Sequence, residues 1–145
     1  MSESIQASHN TEASQIMVSE NIQMICTINN RTDQELKVKS KFLNWGKWTD
    51  GPNFPPVAIP ARTARPAFRS SGKEGLAEGT EGNVVYQLGD NEDEIITIYW
   101  DVPWAPGARN RVWATTFTED VSASVEGFNG GGAVESVVVK VLDGR

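Results

Sequence analysis

Apolar residues recur at every second position through much of this chain, and this spacing limits the possible folds more than any other feature. Ile22, Met24, Cys26 and Ile28 alternate with polar neighbours, and Leu36, Val38 and Phe42 nearly repeat the pattern. Because side chains of a β-strand point alternately to opposite faces, a period of two is typical of strands buried on one side. We therefore predict two strands here, joined by a turn at residues 29–33.

Turn-forming segments divide the rest of the chain into further short strands. Alternation and β-branched residues predict strands at residues 83–88, 94–100, 112–117, 121–126 and 134–142. Residues 51–66 hold five of the seven prolines and predict an irregular connection, since proline cannot donate to a strand ladder. Seven or more short strands without a helical period predict an all-β fold, a β-sandwich of two antiparallel sheets.

The length of 145 residues fits one domain whose core is large enough to need no disulfide or metal. We predict a polar N-terminal arm at residues 1–14 and a single domain at residues 15–145. Cys26 is the only cysteine, so no intrachain disulfide can form. Its place on the alternating apolar face predicts a small core side chain.

The charge balance excludes two kinds of partner. The chain carries 13 Lys and Arg against 19 Asp and Glu, a net charge of −6. Nucleic acids and anionic membrane surfaces are bound through clustered cations, so neither is expected to attract this chain. The first residues lack a signal-peptide pattern, and no apolar run of about 18 residues occurs. We expect a soluble protein, secreted or released without a cleaved signal peptide.

The positions of the five tryptophans say more about function than their number does. Trp45 and Trp48 lie in NWGKWTDG, Trp100 and Trp104 in IYWDVPW, and Trp113 in RVWATTF. Trp104 follows a proline where the chain leaves a predicted strand. Indole suits the boundary between lipid headgroups and acyl chains, and its face attracts alkylammonium groups. It is also a frequent core side chain, so composition alone leaves both roles open.

Three of these segments together resemble one known family. AEGTEG at residues 77–82, followed after a strand by IYWDVPW at residues 98–104, is similar to the signature of the aegerolysins. NWGKWTDG at residues 44–51 resembles that family's upstream Trp-Gly-Lys segment, and VESVVVKVL resembles its closing strand. The resemblance extends from about residue 20 to the end of the chain.

The resemblance implies a β-sandwich of the aegerolysin/actinoporin-like type that acts at a target-cell membrane. Its expected ligand is a membrane sphingolipid, either ceramide phosphoethanolamine or sphingomyelin with cholesterol. It also implies pairing with a larger protein of the membrane-attack-complex/perforin class. The chain is similar to the small component of bacterial two-component insecticidal, pore-forming toxins.

Within the matching segments, Glu78 occupies the acidic position that the family uses for lipid recognition, and the resemblance predicts that Trp100 and Trp104 form one surface cluster near it. The full set of predicted lipid-binding residues is Trp45, Lys47, Glu78, Tyr99, Trp100, Asp101, Trp104 and Trp113. Val102 stands where many members have cysteine, which removes a thiol role. The basic stretch at residues 62–69 matches the family poorly and leaves lipid selectivity open.

Other chemistry is less well supported by the sequence. Glu78, Glu81 and Asp101 could supply the two carboxyl groups of a glycosidase, but no nucleophile or base accompanies them, so we predict no enzyme. The only histidine, His9, lies in the polar arm, and no metal or other cofactor is expected. The acidic run at residues 90–94 does not follow a calcium-loop spacing and is predicted to be a solvated turn.

Two other functions compete with the lipid-binding one. A β-sandwich with exposed tryptophans could be a carbohydrate-binding, lectin-like module, because indole also stacks on sugar rings. An autonomous pore former is disfavoured, since residues 1–14 show no sustained apolar stripe.

Overall fold

A computed structural model describes residues 21–49 and 56–145. These residues form nine strands: β1 (Gln23–Asn30), β2 (Leu36–Trp45), β3 (Lys47–Trp48), β4 (Thr63–Ser71), β5 (Thr80–Leu88), β6 (Ile95–Val102), β7 (Arg111–Thr116), β8 (Val121–Glu126) and β9 (Val134–Asp143). The predicted polar arm at residues 1–14 and its boundary with the domain lie outside the described residues. Each of the seven predicted strands is present, and the all-β prediction is confirmed.

Two sheets face each other across the core. The first has the order β3-β4-β1-β9-β8 and the second the order β2-β5-β6-β7. Alternate residues of β1 and β6 point inward, so that Met24 and Ile28 on one sheet and Ile96 and Ile98 on the other are at most 1% exposed. Removing these side chains from water is the main force that holds the two sheets together.

Cys26 lies in this core, as its spacing predicted, and is 1% exposed. Burial raises the pKa of its thiol well above the ordinary range, because the thiolate would have to be desolvated. Only the thiolate is an effective nucleophile, so Cys26 serves packing rather than chemistry.

The pairing of β1 with β9 corrects one feature of the prediction. We expected two antiparallel sheets, but these two strands run parallel, with Gln23 opposite Val134 and Asn30 opposite Val141. The other strand pairs are antiparallel. Parallel neighbours need a long crossover connection, and here it comprises most of the domain, which local spacing cannot reveal.

The predicted irregular connection at residues 51–66 is wrong at its C-terminal end. Its last residues, from Thr63 onward, belong to β4, which was not predicted. Pro66 lies opposite Thr27, where the pairing of β1 with β4 shifts its register. It also lies outside the two residues of β4 that pair with β3, and both features allow a proline here. Proline is found in sheets at such edges and irregularities, where no ladder hydrogen bond is lost.

The acidic turn at residues 90–94 is solvated only in part. Asp90 is exposed and pairs with Lys37 at 2.9 Å, but Glu94 is 2% exposed and its carboxylate pairs with Arg145. The prediction of a solvated turn is therefore wrong at Glu94, whose burial requires a compensating charge.

Within the part of the chain that the structure describes, no helix is long and apolar enough to cross a membrane.

Candidate functional site

An open cleft of about 450 Å³ lies at one end of the sandwich. It is lined by Trp45, by residues 77–80 at the start of β5, and by Asp101 and residues 103–105 at the end of β6. Strands β5 and β6 pair antiparallel, with Thr80 opposite Val102, so the beginning of one strand and the end of the other meet here. The cleft thus brings together four of the eight predicted residues: Trp45, Glu78, Asp101 and Trp104.

Glu78 is half-buried and is held by the turn between β2 and β3. The backbone N–H of Gly46 donates a hydrogen bond to its carboxylate over 3.2 Å. Gly46 has a φ of 100°, and a Cβ there would lie 2.5 Å from the carbonyl oxygen of Ser71. Only glycine fits this position, so the Trp-Gly-Lys segment places both the exposed Trp45 and the amide that orients Glu78.

Gly79 fixes the distance between the two sides of the cleft. A Cβ at this position would lie 2.0 Å from the carbonyl oxygen of Val102 and 2.8 Å from the backbone nitrogen of Trp104. The backbone after Glu78 therefore lies directly against the end of β6, and Trp104 is brought to the same opening. Gly79, the first glycine of AEGTEG, is required by this close approach.

Trp100 is not part of the surface cluster, and the prediction that placed it there is wrong. It is 0% exposed, and its ring packs against Phe68 and Trp48 at centroid distances of 5.0 and 6.0 Å. Its indole N–H donates to the hydroxyl of Thr80 over 3.1 Å. Ile96, Ile98 and Trp100 occupy every second position of β6 and so point to the same face of the sheet. This spacing is the signal that could have identified Trp100 as a core residue.

Thr80 links the cleft to this aromatic core. Its hydroxyl also hydrogen-bonds that of Ser70 at 2.7 Å, and the residue is 1% exposed. The sequence analysis missed Thr80, Gly79 and Gly46 as site-forming residues. Their presence within the matching motifs was visible, but the contacts that require them were not.

Tyr99 and Trp113 lie on the outer face of the second sheet, one row of residues further from the cleft than Asp101. Their rings stack at a centroid distance of 4.6 Å, close to the separation of neighbouring strands. Trp113 is 46% exposed, so this ring of the pair is largely accessible to solvent. They are not among the described residues that line the cleft.

Polar side chains tie this outer face together. Glu81 accepts hydrogen bonds from the hydroxyl of Tyr99 and, over 2.8 Å, from the amide of Asn44. These bonds lower the pKa of Glu81, with the bond from Tyr99 contributing most. Desolvation, together with the hydrogen bond to Glu81, raises the pKa of Tyr99 to about 12. Glu81 is thereby held as a carboxylate and Tyr99 as a neutral phenol.

The charge of the cleft is negative. Among the described residues that line it, Glu78 and Asp101 are acidic and none is basic. Asp101 pairs with Arg111 at 2.7 Å on the outer face, which offsets part of its charge. Lys47, on β3, is not among the lining residues. Within the described part of the chain, no three His, Cys, Asp or Glu side chains form a group that could hold a metal ion.

This fold and cleft define a class of small β-sandwich proteins with an open cleft at one end. The profile of the aegerolysin family matches residues 21–144. The chain therefore belongs to the aegerolysin family. No curated protein sequence matches it significantly.

Solved structures share the fold at low sequence identity. IP-1A from Alcaligenes faecalis aligns with a TM-score of 0.70 and 20% identity over 91% of this chain and 98% of its own. The RahU protein, solved in complex with TRIS, has a TM-score of 0.66 and 19% identity over 86% of this chain and 96% of its own. The lipid-binding protein Nakanori has a TM-score of 0.64 and 14% identity over 94% of this chain and 77% of its own.

Proposed function

We propose that this protein is a membrane-lipid receptor whose cleft binds the cationic headgroup of a sphingolipid. The observation that carries the proposal is the convergence of Glu78, Asp101, Trp45 and Trp104 on one cleft that has no basic residue among its described lining. Membership of the aegerolysin family supports the proposal, as does the likeness to Nakanori, which is itself a lipid-binding protein.

The chemistry of the cleft favours an ammonium group. A carboxylate attracts a cation, and an indole face adds about 0.5–2 kcal/mol for each alkylammonium contact. The apolar bodies of Trp45 and Trp104 also exclude water from the ion pair, which strengthens the pair. An anionic headgroup would meet the carboxylates of Glu78 and Asp101, of which Asp101 already pairs with Arg111.

The proposed ligand is ceramide phosphoethanolamine or sphingomyelin with cholesterol, since both carry a positive nitrogen on a phosphate ester. Trp45 is 53% exposed and would enter the headgroup layer, whereas Trp104 is partly buried against the core and would line the cleft beneath it. Tyr99 and Trp113 lie one row further from the cleft on the outer face. They would then contact the outer part of the headgroup layer.

We further propose that pore formation requires a larger partner of the perforin class, in a two-component and insecticidal system. The strands described here are hydrogen-bonded within the two sheets, so this domain offers a receptor rather than a membrane-inserting segment. The lectin-like alternative would use the outer face, where Trp113 is 46% exposed on the edge strand β7.

Sedimentation with vesicles that contain each sphingolipid tests the proposal, using the Glu78→Gln variant. The amide oxygen of the substituted side chain can still accept the Gly46 hydrogen bond, so the fold should persist while the charge is lost. Because a hydrogen bond to a charged group contributes about 1.5–3 kcal/mol, binding to ceramide phosphoethanolamine, whose ammonium can donate one, should weaken by about tenfold to a hundredfold.

Glu92→Gln is the matched control, since Glu92 is exposed in the β5–β6 turn, far along both strands from the cleft. Equal binding by both variants would refute the headgroup role of Glu78. Binding to a glycan array without binding to vesicles would favour the lectin-like function.

A further inference from the structure

We propose that a second, smaller cleft on the other side of Trp104 binds a hydrocarbon segment of the same lipid. The inference rests on the proposed function. This cleft has a volume of about 180 Å³ and lies between residues 103–108 on one side and Ile22, Gly132 and Ala133 on the other. Pro103, Trp104 and Ala105 line both clefts. A molecule whose amine lies beside Glu78 therefore has its remaining atoms within reach of the smaller cleft.

The side chains of the smaller cleft differ in character from those of the larger one. Its described lining consists of proline, tryptophan, alanine, glycine and isoleucine, with no charged side chain. The larger cleft, across the same loop, carries two carboxylates. The loop at residues 103–108 thus separates an acidic site from one without charged side chains in its described lining.

Part of the backbone hydrogen-bonding capacity of the smaller cleft is already used within the protein. Pro103 and Pro106 have no N–H. The carbonyl oxygens of four other lining residues already accept hydrogen bonds within the protein: Ile22 from Gly72, Ala105 from Ala108, Gly132 from the Asn110 side chain, and Ala133 from Gln23. An ordered water usually makes about three hydrogen bonds to its surroundings, and these used carbonyls reduce the number of partners that the cleft offers to a water molecule.

The size of the smaller cleft fits part of a ligand. Pockets that enclose a whole small molecule usually measure about 300–1,000 Å³, and 180 Å³ is below that range. A sterol or a second complete lipid is therefore too large. A short stretch of the chain that follows a headgroup bound in the larger cleft is the occupant that both size and continuity favour.

The far wall of this cleft is held in place before any ligand binds. Glu135, which is 0% exposed, accepts hydrogen bonds from the backbone N–H groups of Asn129 and Gly130 over 2.7 and 2.9 Å. Its carboxylate also accepts one from the Asn110 side chain over 3.0 Å, and the same amide donates to the carbonyl of Gly132. A preformed wall lowers the entropy cost of binding.

Single-chain alkyl phosphoethanolamines with two to ten carbons, kept below their micelle concentration, test the inference by calorimetric titration. The wild-type affinity should rise about fourfold for each methylene that becomes buried, and it should stop rising once the cleft is full. The heat capacity of binding should become more negative over the same range, because that is the reliable sign of apolar burial.

Ala108→Phe and Ala133→Phe each place a ring in the cleft, and Ala64→Phe is the matched control. Ala64 is exposed on β4 opposite Asn29, at the other end of β1 from Ile22. We expect both phenylalanine variants to bind the two-carbon probe with the affinity of the wild type. Their affinity should not increase with the chain length of the probe. Ala64→Phe should keep the whole gain.

The outcomes separate this inference from the proposed function. If neither the probes nor sphingolipid vesicles bind, the proposed function itself fails, and this inference fails with it. If the probes bind but the wild type shows no gain with chain length, or the gain survives in both filled variants, only the smaller cleft is wrongly assigned. If the filled variants lose only their response to cholesterol in vesicles, the cleft belongs to a sterol and the inference is overturned.

Discussion

Trp45 and Trp100 both lie in segments that match the family, yet they have opposite environments. Trp45 is 53% exposed beside the cleft, whereas Trp100 is 0% exposed between Phe68 and Trp48. The difference follows from the face of the sheet to which each side chain points. Trp100 shares the inward face of β6 with Ile98, whereas Trp45 lies opposite the outward-facing Glu81. Tryptophans in matching motifs therefore differ in whether they can reach a ligand.

Trp100→Phe should lower the free energy of unfolding by about 2 kcal/mol, because it leaves a cavity and removes the hydrogen bond that the indole N–H donates to Thr80. Trp45→Phe should change it by less than about 0.5 kcal/mol, as expected of an exposed position, while weakening vesicle binding. Urea unfolding and vesicle sedimentation measure the two effects. A Trp100→Phe variant of normal stability would contradict its assignment to the core.

Tyr99 should remain neutral to unusually high pH. Its pKa of about 12 in the folded state exceeds the ordinary value of about 10. A raised pKa favours the protonated form in the folded protein, so the associated stability is fully present below about pH 10 and is lost as the pH rises toward 12. NMR titration of tyrosines labelled with ¹³C at Cζ should show this, and Glu81→Gln should lower the midpoint. Titration of Tyr99 near pH 10 in the wild type would contradict the contact with Glu81.

At the scale of strands and turns, the cleft depends on how closely the start of β5 approaches the end of β6. Gly79→Ala should lower the free energy of unfolding by at least about 2 kcal/mol, since a Cβ at 2.0 Å from the Val102 carbonyl cannot be relieved by rotating a side chain. Vesicle binding should fall with it. Gly131→Ala is the control, because a Cβ there meets nothing within 4 Å, and its unfolding midpoint should match the wild type.

The strands themselves were largely predictable from spacing, because alternation is a local property of the chain. The sequence did not predict β4, since Pro66 is typical of a break and its tolerance depends on the register shift opposite Thr27. It did not predict β3, which has only two residues and is defined by pairing with Ser70 and Ser71. Both strands exist through contacts with distant residues.

The site was predictable in part. The family motifs indicated Glu78, Trp45, Asp101 and Trp104, which the structure brings to one cleft. They could not distinguish these from Trp100, whose side chain points to the opposite face of the sheet, or from Tyr99 and Trp113 on the outer surface. The smaller cleft could not be predicted from the sequence, because Ile22 and residues 132–133 meet the Trp104 loop only in the folded domain.

For the whole molecule, binding and permeabilisation should be separable. The described strands are hydrogen-bonded in the two sheets, and releasing one for insertion would expose the core. At saturating binding to sphingolipid vesicles, the protein alone should therefore release no more trapped dye than a buffer control. Efficient leakage without a second protein would contradict the receptor role and support an autonomous pore former.

The parallel pairing of β1 with β9 also determines when the domain can form during its synthesis. β1 lies in the middle of the first sheet, between β4 and β9, and its neighbour Val134 emerges from the ribosome 134 − 23 = 111 residues after Gln23. Such distant contacts make folding slow, because a long loop must close before they stabilise the chain. A nascent chain that stops before β9 leaves one side of β1 without a partner strand. We expect such nascent chains to remain sensitive to protease until β9 has left the exit tunnel.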